Sequence, residues 1–235
     1  MFDARHSIPS NEQGKRGTRH LRWGSDDSFT EIGYAAPEVT LLRFQTGRKG
    51  VGELRQELAE ASAGDLGTTG TAEDSIFAYD KVKDLPFLRA CIDETLRLRP
   101  PLAYSLPRLV SRPTAIAGHT ILPGTVVAVS PYSIHRHKSL YRDPDHYRPE
   151  RWVDVDPAFP NQREDLKKYN IVFSQGSRAC IGRRLAIVEL QILISAMVIR
   201  YDSELDGRSK DDLEIFDRFN SNPGPMFVKL RKRVA

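Results

Sequence analysis

Apolar and polar positions alternate with different periods along the chain, and the periods divide it. Residues 1–35 are polar and charged with scattered glycines and no sustained period, which predicts a disordered or irregular segment. The stretch Val51 to Ala63 contains Leu54-Arg55-Gln56-Glu57-Leu58, whose apolar spacing predicts an amphipathic helix. A glycine- and threonine-rich stretch with Gly64, Gly67 and Gly70 follows and reads as a linker. Phe87 to Leu98 predicts a second helix, with Pro86 suited to its first turn and Pro100-Pro101 terminating it. Residues 108–130 alternate and break like short strands, with a Pro123-Gly124 turn before Thr125. Residues 140–170, rich in Pro, Asp and Arg, read as irregular. Residues 182–201 are apolar nearly all round, which predicts a buried helix.

Composition narrows this picture. A chain of 235 residues that is 40% hydrophobic can bury a core as one or two domains. Its two cysteines, Cys91 and Cys180, do not suggest a disulfide framework, and Cys91 reads as a small core residue. No apolar run reaches transmembrane length and no signal peptide opens the chain. The net charge of +4 raises nucleic acid as a partner, but no basic helix, zinc finger or aromatic-studded sheet motif supports one. The basic tail Lys229 to Arg233 reads as a solvated end.

Candidate chemistry concentrates in Phe173-Ser174-Gln175-Gly176-Ser177-Arg178-Ala179-Cys180-Ile181-Gly182, an F-x-x-G-x-R-x-C-x-G pattern. Each fixed position has a physical role if Cys180 is a thiolate ligand to haem iron. The predicted helix begins just after Cys180, and the positive end of a helix dipole favours a thiolate. Gly176 suits a turn with positive φ, from which backbone N–H groups can reach the sulfur. Gly182 lets the helix backbone approach a flat ring, and Arg178 can pair with a propionate. Phe173 can shield the sulfur from water. A thiolate trans to bound oxygen favours O–O cleavage, so the predicted chemistry is oxidation. Upstream, Glu94-Thr95-Leu96-Arg97 places Glu94 and Arg97 three apart on one helix face, where they can pair.

The decapeptide resembles the haem-binding loop of the cytochrome P450 family. Two further segments fall in that family's order: Glu94-Thr95-Leu96-Arg97 resembles its E-x-x-R motif, and Pro149-Glu150-Arg151-Trp152 its P-E-R-F/W segment. The resemblance extends over residues 51–233 and is closest to microsomal, fungal-like members. It implies a mainly α fold with small β-sheets, corresponding to the C-terminal half of the P450 fold. The N-terminal half and the oxygen-activating helix have no counterpart, which leaves residues 1–50 unmatched. The nearest string to the oxygen-activating motif, Gly24-Ser25-Asp26-Asp27-Ser28, departs from it in pattern and flanks.

By the same resemblance, haem b (iron protoporphyrin IX) is the cofactor and Cys180 its axial ligand. Arg108 and Arg178 would hold propionates, and Glu94, Arg97 and Arg151 would form a buried ion network. Ala103, Tyr104, Ser105 and Leu106 would line a substrate pocket. Residues 218–230 are similar to a C-terminal β-hairpin whose turn, with Pro223 and Gly224, reaches towards substrate. Leu54 to Leu58 resembles the family's J helix, and Ile134-His135-Arg136 the stretch leading to the P-E-R-W segment.

The implied activity is insertion of one oxygen atom from O₂ into a small hydrophobic organic substrate. Electrons would come from NADPH through a flavoprotein reductase, for which Arg183 and Arg184 offer a basic face. A haem-thiolate isomerase or dehydratase, and a catalytically inactive fragment, are the alternatives. Microsomal members sit at the endoplasmic reticulum membrane through an anchor that this chain lacks, and the chain is expected to be a fragment.

Overall fold

Three apolar stripes at helical spacing meet in one core, and that core carries the cysteine loop. In a computed structural model, the structure describes residues 18–23, 48–62, 78–103, 105–154, 162–206, 215–217, 221–223 and 226–233. Helix α1 (Arg48–Ser62) buries Leu54 and Leu58, and the short α2 (Tyr79–Val82) buries Val82. Helix α3 (Pro86–Leu98) contributes Leu88, Cys91, Ile92 and Leu96. After the short strands β2 (Arg108–Leu109), β3 (Thr114–Ile116), β4 (His119–Ile121) and β5 (Val126–Val127) comes helix α4 (Pro131–Ile134). A 3-10 turn (Pro149–Trp152) and helix α5 (Gln162–Tyr169) lead to a second 3-10 turn (Gly176–Arg178). Helix α6 (Arg183–Arg200) then adds Ile187, Leu190, Ile194 and Val198 to the core, with Val172 and Phe173 packed against it. Burial of such side chains stabilises by roughly 1.5–3 kcal/mol each before entropy is set against it.

Helix ends in this core are satisfied by side chains from other elements. Leu85, at the N-cap of α3, has no side chain able to cap. Glu57 of α1 does it instead, accepting from the N–H groups of Phe87 (2.9 Å) and Leu88 (3.0 Å). Arg55, one turn face away, donates to the carbonyls of Val198 and Tyr201 (both 3.3 Å) at the C-terminal end of α6. The buried Gln191 amide donates to the Val82 and Lys83 carbonyls, closing α2 onto α6 (3.2 and 3.1 Å). Helix α1 therefore clamps α3 at its start and α6 at its end, and those two helices carry the ion network and the cysteine loop.

The sheets are small and antiparallel. Strand β6 (Tyr201–Leu205) continues directly from α6, and β7 (Ile215–Asp217), β8 (Ser221–Pro223) and β9 (Met226–Lys232) complete the chain. Strand β9 lies between β6 and β1 (Thr18–Trp23), with Leu205 opposite Val228 on one side and Leu21 opposite Val228 on the other. Two expectations change here. Residues 18–23 of the segment read as irregular form a strand, because β9 offers them an edge for backbone pairing. The basic tail is not a loose end: Val228 and Leu230 are buried while Lys229 and Arg231 alternate with them, the period of a strand covered on one face.

The expected C-terminal hairpin also shifts. Ile215 pairs with Pro223 and Asp217 with Ser221, so the connection falls at 218–220 and Pro223 belongs to a strand. Proline, lacking an N–H, is accommodated at a strand edge of this kind. Pro86 opens α3 and the helix ends at Leu98 ahead of Pro100, as its spacing predicts. The irregular 140–170 stretch contains α5 and the 3-10 turn at 149–152. The glycine linker, the string Gly24 to Ser28, Tyr104 and Gly224 lie outside the described residues. No helix among the described residues is long and apolar enough to cross a membrane.

Candidate cofactor site

Two constructions carry the candidate chemistry: a buried ion network on the outer face of α3 and the cysteine loop before α6. Glu94 and Arg97 lie on the side of α3 away from the hydrophobic core, and both side chains are fully buried. The Arg97 Nε and Nη2 donate side by side to Glu94 Oε2 and Oε1 (2.9 Å each), the bidentate fork that guanidinium geometry favours. Arg151, from the 3-10 turn, donates its Nε to Oε1 at 3.1 Å. The Arg148 backbone N–H (2.8 Å) and the Trp152 indole N–H (3.0 Å) complete five hydrogen bonds onto one carboxylate.

The remaining guanidinium protons hold the irregular stretch in place. Arg97 Nη1 donates to the carbonyls of His135 and Pro144, both at 2.7 Å. Arg151 Nη1 donates to the Arg142 carbonyl at 2.8 Å. Arg97 also lies 5.0 Å from the centre of the Tyr141 ring, a cation–π contact that spares water. Burial lowers the pKa of Arg151 and pushes the Tyr141 hydroxyl up to about 12, so the phenol stays neutral at neutral pH. Glu94, Arg97 and Arg151 thus meet. Trp152 and the Arg148 N–H were not foreseen as partners, because no spacing rule connects them to residue 94.

Helix α3 is finished by the His135-Arg136 pair. The His135 Nδ1 lies 3.2 Å from the Arg97 carbonyl, and Arg136 Nη2 donates to the Leu98 carbonyl at 2.6 Å. These are last-turn carbonyls that the helix itself leaves without partners. Arg136 stacks on Tyr132 with its guanidinium carbon 3.8 Å from the ring centre. The segment Ile134-His135-Arg136 was legible only as a resemblance; its capping role needed the tertiary fold.

The cysteine loop closes on itself. The Cys180 N–H donates to the Phe173 carbonyl at 2.8 Å, and the Ala179 N–H to the Gly176 carbonyl at 3.1 Å. These two N–H groups are therefore spent inside the loop rather than on the sulfur. Gly176 has φ +73° and Ser174 φ +58°, the two left-handed residues that turn the chain back. A Cβ on Gly176 would meet nothing within 4 Å, so its requirement is conformational. A Cβ on Gly182 would meet only Cys180 Sγ, at 3.9 Å, which leaves the rest of that flank open. Cys180 itself is half-buried, whereas Cys91 is enclosed and burial pushes its thiol far up.

Around the cysteine the surface is apolar and basic at once. Ile181, just before α6, is fully exposed, and in the helix's first turn Leu185 is 63% exposed, so that turn does not follow the expectation of burial all round. Its core-facing stripe begins only at Ile187, where the helix reaches α1 and α3. Arg178, Arg183 and Arg184 are exposed, and Arg183 leans over the Phe173 ring at 6.0 Å. Phe173 packs partly against the core. Arg108, on β2 opposite Val127, is exposed and donates to its neighbour's carbonyl, that of Pro107. Ala103, Ser105 and Leu106 are half-buried in the irregular stretch after Pro101, where the Ala103 carbonyl accepts from Tyr132 and Ser130.

The family model described as cytochrome P450 matches residues 53–230. This chain belongs to the cytochrome P450 family. Among curated P450 relatives, the monooxygenase pkfB of Emericella nidulans is 38% identical over 159 residues, which is 67% of this chain and 30% of that protein. The monooxygenase penB of Penicillium thymicola is 36% identical over 168 residues, 71% of this chain and 35% of that protein. The chain thus spans about a third of the length of these P450 relatives. The haem domain of cytochrome P450DA superposes with a TM-score of 0.72 at 20% identity, covering 86% of this chain and 41% of that one. A second solved P450, CYP102L1, gives 0.70 at 25% identity, covering 86% and 42%. The helix-rich architecture with small sheets is accordingly part of a P450 fold, as the sequence motifs implied.

Proposed function

We propose that Cys180 is the axial thiolate of a haem b and that this chain is the thiolate-bearing part of a P450 monooxygenase. The observation that carries the reading is the half-buried Cys180 at the mouth of a closed loop, with Gly182 leaving an open flank beside its sulfur. The residues present fit a flat, apolar, dianionic group. Exposed Ile181 and Leu185 supply apolar surface, and exposed Arg178 and Arg108 supply cations for propionates. When bound, such a group supplies oxygen activation for insertion of one atom from O₂ into a small hydrophobic molecule.

The protein's own contribution is placement. Cys180 is fixed by the Phe173 carbonyl behind it and by the N-terminus of α6 after it. Glu94, Arg97 and Arg151 hold the irregular stretch against α3. Ala103, Ser105 and Leu106, with Tyr104 and the Pro223-Gly224 segment, form the substrate-facing side of this reading. Exposed Arg183 and Arg184 present the positive surface on which an acidic, NADPH-dependent flavoprotein reductase would dock.

The test is the reduced carbon monoxide spectrum of the purified chain reconstituted with haem. A thiolate-type Soret band is expected, and Cys180→Ala abolishes it. Haem that binds without that band, or a band that survives Cys180→Ala, overturns the assignment.

A further inference from the structure

We propose that His135 is a positioning residue for the Cys180 loop: its neutral ring bolts the end of α3 to the loop's entrance, and protonation of that ring in mild acid releases the loop. The functional consequence rests on the reading of Cys180 as the haem ligand; the coupling itself does not.

The ring is fully buried and both nitrogens are committed. The Ile171 backbone N–H points at Nε2 over 3.1 Å. A backbone amide can only donate, so Nε2 bears the lone pair and Nδ1 the hydrogen. That hydrogen faces the Arg97 carbonyl at 3.2 Å, which can only accept. The two partners therefore select one tautomer of the neutral imidazole.

The two ends of this bridge are not arbitrary. Arg97 belongs to the Glu94 network, and its Nη1 donates to the carbonyl of His135 itself at 2.7 Å. Ile171 begins the cysteine loop: its carbonyl accepts the Ser174 N–H at 2.9 Å, and two residues on the Phe173 carbonyl accepts the Cys180 N–H at 2.8 Å. One ring thus links the ion network to the segment that sets the sulfur. Protonating Nε2 would place N–H against N–H and bury a cation, and the simplest relief is departure of the Ile171 segment.

Burial and two guanidinium groups oppose protonation, while the Arg97 and Tyr169 carbonyls favour it. Arg97 faces the ring from α3, and Arg136 from its own turn. The Tyr141 ring stands edge-on with centroids 6.5 Å apart, and the Tyr169 carbonyl lies on the α5 side. The carboxylates attached to these cations are already engaged, Glu94 by Arg97 and Arg151, and Asp145 by Arg136 at 3.3 Å. Burial, the largest cause, lowers the ring's pKa to about 4.

Hydrogen–deuterium exchange on the full, haem-free chain tests the coupling, with rates corrected for intrinsic pH dependence. Between pH 7.5 and 5.5, opening of the 171–180 amides is expected to rise about tenfold, because the released ring titrates at its ordinary value and the docked ring does not. Amides of α1 should not follow. His135→Gln, whose amide oxygen can accept from Ile171 without titrating, should flatten the profile. A pH-independent loop in the natural chain, α1 opening in step with the loop, or a profile unchanged by His135→Gln overturns the proposal. Should that variant not fold, nitrogen shifts of the ring in the natural chain decide: a hydrogen on Nε2 at pH 7.5 overturns the coupling, and one on Nδ1 supports it. A missing carbon monoxide band with the exchange result intact sinks the haem reading and leaves the coupling standing. A band with a flat exchange profile does the reverse.

Discussion

Glu94 shows what a single buried carboxylate organises. It accepts from two guanidinium groups, an indole and a backbone N–H, all on chain segments that differ in sequence position by up to 58 residues. Removing it leaves Arg97 and Arg151 buried without their anion. Glu94→Ala is therefore expected to cost about 3–5 kcal/mol in denaturant unfolding, well beyond the usual surface substitution. The pairing of Glu94 with Arg97 was legible from their spacing on a helix, and Arg151 from a resemblance. Trp152 was legible only as a motif letter. The cysteines differ just as sharply. Cys91 is enclosed with its thiol pushed far up, whereas Cys180 is half-buried beside the start of α6. In the haem-free native chain a thiol-specific alkylating reagent should modify Cys180 and spare Cys91, as read by peptide mass spectrometry. Rapid labelling of Cys91 under native conditions would contradict that burial.

At the scale of elements, the recurring device is a helix end closed by another helix or turn. Glu57 caps α3, Arg55 closes α6, and His135 with Arg136 closes α3 at its far end. Glu57→Ala should destabilise the fold by about 1–2 kcal/mol, since two first-turn N–H groups lose their acceptor. The cheapest check is a shift of the denaturation midpoint without change in slope. The amphipathic spacing around Leu54 and Leu58 predicted the helix, and nothing in that spacing says that Arg55 and Glu57 reach past it. Element type was readable for the same reason that caps were not: apolar period is a local property, whereas a cap from residue 57 onto residue 87 is a contact across the fold. The same distinction explains the first turn of α6. A period that is apolar all round predicts burial, but burial needs a neighbour, and the core begins only at Ile187.

For the molecule as a whole, His135 gives stability a direction in pH. Its folded pKa of about 4 lies below the ordinary histidine value of 6.5, so the unfolded chain binds more protons between those values. Its contribution is full above pH 6.5, is lost as pH falls towards 4 at roughly 1 kcal/mol per pH unit, and does not change further below that. The raised pKa of Asp93, caused by burial, works in the opposite sense, so the measurement is the difference between the natural chain and His135→Gln. Stability curves for the two that run parallel from pH 7.5 to 4.5 would show that the ring's protonation does not bear on the fold.

The sequence by itself determined the helices α1, α3 and α6, the family, the cysteine loop and the residues of the ion network. All of these follow from local spacing or from short runs of fixed residues. Only the tertiary structure decided that residues 18–23 pair with β9, that the basic tail is a central strand, and that Pro223 lies in a strand rather than a turn. It also decided that His135 joins α3 to the cysteine loop. Strand pairing and buried polar bridges depend on which distant donor meets which acceptor, and that choice is made by packing the core, not by any period along the chain.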